Sequence, residues 1–143
     1  MKIFKKAAIA MVIVCCITLS VAHAARYIVY ISQVIPASSS TSGYISEFLT
    51  KNGSGYQYLQ NKNSFSVSAK IGGTNFEGNN GWSPSWETAS ANSWKFLGAS
   101  GNPTQYGMYA GNLASLRLKS TTSSARSFSG IWITDEDLYN AFK

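Results

Sequence analysis

Residues 64–71, Ser-Phe-Ser-Val-Ser-Ala-Lys-Ile, alternate strictly between apolar and polar. A period of two sends successive side chains to opposite faces, so the segment predicts a strand with one buried and one wet face. Phe65, Val67, Ala69 and Ile71 form the apolar row. The same reading predicts strands over 26–35, with Tyr27, Val29, Ile31 and Ile35 on one side, and over 56–60, 93–97, 114–119 and 126–134. Short strands separated by Gly, Asn and Ser turns indicate a mainly β chain. The expected fold is a small antiparallel β-sandwich or barrel.

Two segments depart from the β pattern. In 44–51, Ile45, Phe48 and Leu49 have helical spacing and Asn52-Gly53 follows. A short helix ending at Gly and the first arm of a hairpin with an Asn-Gly turn both fit. In 134–143, Thr134 stands as a cap, Asp135, Glu136 and Asp137 fill the first turn, and Lys143 closes the end. That order suits a helix dipole and predicts a short C-terminal α-helix with Leu138, Ala141 and Phe142 facing the core.

The N-terminus predicts the address. Lys2, Lys5 and Lys6 precede an uncharged, mostly apolar run, and Ala22-His23-Ala24 supplies the small residues of a cleavage site. This reads as a bacterial signal peptide, 1–24, cleaved after Ala24, leaving 25–143 as one secreted or periplasmic domain. The run is short for a membrane span of about 20 residues. Cys15, Cys16 and His23 all fall within the leader. The remaining chain then has no Cys and no His, which excludes a disulfide, Ser-His-Asp and Cys-His catalysis, and zinc sites built on those ligands.

Charge narrows the partners further. Of twelve Lys and Arg, three lie in the leader, so nine face six Asp and Glu, a net of about +3. The basic residues are scattered, and no run of four or five marks a nucleic-acid surface. No lysine has a serine three positions before it, so the Ser-x-x-Lys signature is absent, as is a phosphate-binding glycine loop. Glu47, Glu77 and Glu87 are the carboxylates outside the helix start; Glu77 and Glu87 flank the tryptophan segment as a sugar-cleaving pair would, and solvated loop glutamates are the plainer reading. The chain is therefore expected to be no enzyme and to need no cofactor or metal.

The segment 72–94 concentrates Trp82, Trp86 and Trp94 among Gly, Asn, Ser and Thr. Trp94 alternates with Phe96 on a predicted strand, and Trp132 faces away from Ile131 and Ile133 on another. Trp82 and Trp86 flank Ser83-Pro84-Ser85, a turn signal. With Asn79, Asn80, Ser83 and Ser85 beside them, the two indoles make a candidate sugar platform or protein-binding loop. Their alternative is to fold back and cap the end of a sheet. The expected function is a non-catalytic binding module for a glycan or a cell-surface protein, in carbohydrate binding or adhesion. The second expectation is an assembly subunit of a surface appendage or secreted complex. Contact with membrane through Tyr and Trp is less favoured, because no basic amphipathic helix is present.

Residues 106–113, Tyr-Gly-Met-Tyr-Ala-Gly-Asn-Leu, carry a Gly-x-Tyr-x-Gly-x-Leu pattern. It resembles the segment near the end of pilus subunits assembled by the chaperone-usher route. The resemblance implies an incomplete immunoglobulin-like sandwich. It covers eight residues, and the chain departs from that pattern by running 30 residues further.

Overall fold

A computed structural model describes residues 28–75, 77–98 and 106–143. The predicted leader, 1–24, and Tyr27 lie outside the described residues. The described chain forms ten strands and one helix. These are β1 (Ile28–Ile35), β2 (Tyr44–Ile45), β3 (Leu49–Thr50), β4 (Gln57–Asn61), β5 (Val67–Thr74), β6 (Asn80–Trp82), β7 (Glu87–Ala89), β8 (Ser93–Leu97), β9 (Leu113–Ser120), β10 (Arg126–Ile133) and α1 (Glu136–Phe142). All pairings are antiparallel. One sheet runs β1-β10-β4-β8. The other is built on β9 and β5, with β2 and β3 sharing the outer edge of β9 and β6 and β7 sharing that of β5. The fold is mainly β, one sheet curving as a half-barrel, and it closes on a short C-terminal helix.

Alternation explains the layering. Val67, Ala69 and Ile71 of β5 and Ala114, Leu116 and Leu118 of β9 point inward against Ile31, Ile35, Leu59, Leu97, Phe128 and Trp132. Trp132 is fully buried, and its indole N–H donates to Gln57 Oε1 at 2.9 Å, so the polar end of the largest core side chain is satisfied. Ile131 and Ile133, on the opposite face of β10, form a second cluster with Tyr58 and Tyr139 beneath α1.

Three expectations need correction. Residues 44–51 are neither a helix nor a hairpin arm; they form an interrupted edge strand. Ile45 pairs with Arg117 and Leu49 with Ala114, so one extra residue is accommodated between them. At that bulge the buried Ser46 accepts the Leu116 N–H through its hydroxyl at 2.9 Å, while its own N–H donates to the Leu116 carbonyl. Next, the helix cap is Asp135 rather than Thr134, and Asp135 makes no capping bond. Finally, Tyr139 is the buried residue of α1, whereas Ala141 and Phe142 are exposed. The pilus-like segment is also placed differently from the pattern it resembles. Residues 106–112 form turns that lead into β9, an interior strand, and β10 follows.

Candidate ligand-binding face

Inward Val67, Ala69 and Ile71 leave Ser68, Lys70 and Gly72 on the outer face of β5, and the same parity puts Arg117 and Lys119 on the outer face of β9. Trp82 is half-buried on this face, paired with Gly72. Its ring lies directly on that glycine, since a Cβ at position 72 would sit 2.2 Å from Trp82 Cε3. Glycine here lets an indole from an edge strand lie flat across its neighbour. The Arg117 guanidinium carbon stands 4.0 Å from the Trp82 ring centroid, and the Phe48 ring tilts against it at 6.3 Å. Phe48, Asn80, Gly81, Trp82 and Leu113 line an open, largely apolar cleft of about 470 Å³. Phe48 is 51% exposed and presents its ring to this cleft.

Trp86 lies further along the same face. Lys119 Nζ is 4.5 Å and Lys70 Nζ 5.5 Å from its ring centroid. Lys119 is held in place by the β1–β2 connection, donating to the carbonyls of Ser38 at 2.8 Å and Ser40 at 3.2 Å. Burial, and then the charges of Arg117 and Lys119, hold the Lys70 amine below its ordinary value.

The other residues singled out from sequence are distributed unevenly. Asn80 is exposed on the rim of the cleft, beside Trp82. Asn79 is exposed at the β5–β6 turn, its N–H donating to Asn75 Oδ1 and its amide to Glu77 Oε2. Ser85 is exposed in the bulge between β6 and β7. Ser83 is buried, its N–H donating to the Ile71 carbonyl and its hydroxyl directed at the Ser85 carbonyl, so it presents no surface group. Trp94 is half-buried under α1, edge-on to Tyr139 at 5.0 Å, and belongs to the opposite sheet. Phe48, Lys70, Leu113, Arg117 and Lys119 were not legible as site residues. On β9 the alternation marks Arg117 and Lys119 as a wet face, but only the pairing of β9 with β5 brings them to the indoles.

The acidic residues serve the scaffold. Glu87 accepts the Gly98 N–H at 2.9 Å and pairs with Lys95 at 3.2 Å, while Glu77 sits at the β5–β6 turn, so the two carboxylates engage separate partners. Asp135 accepts from the N–H groups of Asn52 and Gly53 and from the Thr134 hydroxyl, and lies 3.7 Å from Lys51 Nζ. Among the described residues no group of three His, Cys, Asp or Glu is placed to hold a metal ion, and no helix is long and apolar enough to cross a membrane. No family model, curated protein or solved structure matches this chain.

Proposed function

We propose that the protein is a non-catalytic binding module that takes a saccharide on the outer face of the β9–β5 sheet, acting at the cell surface or in the periplasm. The observation that carries this reading is the cleft floored by Trp82 and walled by Phe48 and Leu113, with the Asn80 amide at its rim. The apolar C–H face of a pyranose stacks on an indole, and a side-chain amide orients its hydroxyls. Trp82 lies in a strand and is braced by Gly72 and Arg117, so little freedom is lost when a ligand stacks on it.

The test is a glycan array followed by titration of tryptophan emission. Trp82→Ala should abolish binding, and Asn80→Ala should weaken it about tenfold, roughly the loss of one or two hydrogen bonds. Asn80 is exposed, so its substitution should leave the unfolding midpoint unchanged. Binding that survives both substitutions would place the ligand elsewhere.

A second reading, an assembly subunit, is supported by β1. Among the described residues this edge strand of eight residues pairs only with β10, and it exposes Tyr30 and Val34 at 70% and 66%. An open apolar edge is a template for strand addition. Light scattering across a concentration series tests it, and a mass that stays monomeric removes this reading.

A further inference from the structure

Three cations share the outer face of the β9–β5 sheet without a counter-charge. Lys70 on β5 stands directly opposite Arg117 on β9, a like-charge cross-strand pair that a sheet ordinarily avoids. Lys119 adds a second ammonium over the same Trp86 ring that Lys70 approaches. All six Asp and Glu of the chain are among the described residues, and the only ion pairs among those residues are Lys51–Asp135 and Lys95–Glu87. Arg117 Nε is buried and has no hydrogen-bond partner among the described residues. The indoles supply partial compensation, since a cation over a ring face is attracted by the ring's quadrupole. That attraction does not use the N–H donors. Lys119 commits two of its three N–H groups to Ser38 and Ser40, and the third is left over. The face is therefore prepositioned, positively charged, and continuous with the apolar cleft through the Arg117–Trp82 stack.

We infer that the ligand is an acidic saccharide, its carboxylate or sulfate received by Lys70, Arg117 and Lys119 while a neighbouring sugar ring stacks on Trp82. This rests on the saccharide reading above and names the class of sugar. An anion between Lys70 and Arg117 removes their mutual repulsion and gives charge-assisted hydrogen bonds to the Lys70 ammonium and the remaining Lys119 N–H. The same burial and like charges that hold the Lys70 amine down would be offset, so binding should carry proton uptake at alkaline pH.

The experiment is calorimetric titration of the purified protein with matched pairs: tetragalacturonate and its carboxyl-reduced form, a sulfated chondroitin tetrasaccharide and its desulfated form, sialyllactose and lactose. Phosphatidylglycerol vesicles form a separate arm. At low ionic strength an acidic member should bind at least about tenfold more tightly than its neutral partner, and added salt should erode the difference. Lys70→Gln and Lys119→Gln should abolish the difference while neutral binding persists. Equal binding of both members overturns the acidic assignment and leaves the saccharide reading standing. Absence of binding by every oligosaccharide overturns both. Binding to vesicles alone also overturns the inference, because the anion would then be a lipid headgroup.

Discussion

Lys51 is the residue whose chemistry the fold alters most. Only 1% exposed, it donates to the carbonyls of Thr134 and Tyr56 and lies beside Asp135. Burial pushes its amine down to about 8, against the opposing pull of the Asp135 charge and hydrogen bond. Because the unfolded chain holds that proton up to about 10.5, the unfolded state binds more protons between pH 8 and 10.5, and stability rises with pH across that window. The gain is of order 3 kcal/mol. Tyr58 acts in the opposite sense at higher pH. Burial, and then the Glu136 charge, push its hydroxyl up to about 12, so above its ordinary value of 10.0 the folded state retains a proton that the unfolded chain has lost, and stability falls. Urea unfolding from pH 7 to 12 should therefore show a midpoint that climbs above pH 8 and turns down beyond about 10. Lys51→Met should lose most of the climb, and Lys70, also held below its ordinary value, should leave a residual slope. A variant with the parental profile would show that Lys51 titrates normally. Nothing near Lys51 in sequence signals this burial, because its partners Thr134 and Asp135 are more than 80 residues away.

Among the elements, α1 shows how a correct element can be placed by the wrong residues. Thr134 and the acidic first turn make a helix start legible. Asp135 is nevertheless drawn to the N–H groups of Asn52 and Gly53, so the short helix is held by what it packs upon. The Tyr139 ring stacks on Tyr58 at 4.2 Å with an interplanar angle of 8°, and Trp94 and Phe96 meet its edges. Tyr139→Ala should consequently cost about 3 kcal/mol, within the range for deleting a buried aromatic ring. Ala141→Ser, on the exposed side, should stay within about 0.5 kcal/mol. Equal effects in urea unfolding would mean that α1 is rotated from the position described. The strand pattern was more legible where alternation is unbroken. Residues 93–97 are the strand expected, and the alternating row Val67, Ala69 and Ile71 reaches the core. Residues 44–51 misled for a physical reason: the extra residue at the Ser46 bulge shifts Phe48 and Leu49 into a spacing that imitates a helix.

At the scale of the whole molecule, the two sheets sort the four tryptophans into separate environments. Trp132 is sealed in the sandwich and Trp94 lies under α1, while Trp82 and Trp86 rest half-buried on the opposite outer surface beside Arg117, Lys70 and Lys119. Sequence reading located the indole pair of the candidate site but not its cations, because Lys70 and Arg117 meet only through strand pairing across 47 positions. This distribution has a direct optical consequence. Iodide is attracted to the cationic face and caesium is repelled from it, although both quench indole emission by contact. Iodide should therefore quench a larger share of the fluorescence than caesium at low ionic strength. The ratio should fall toward one as salt shortens the screening length to about 10 Å at 0.1 M and below that at higher concentration. Trp82→Phe combined with Trp86→Phe should bring the ratio toward one, because Trp132 is buried and the half-buried Trp94 lies on the other sheet, away from Lys70, Arg117 and Lys119. Lys70→Gln should reduce the ratio with both indoles in place, which separates local charge from simple accessibility. If iodide and caesium quench equally in the parent protein, the cations do not govern access to these rings, and the acidic-saccharide inference loses its electrostatic basis.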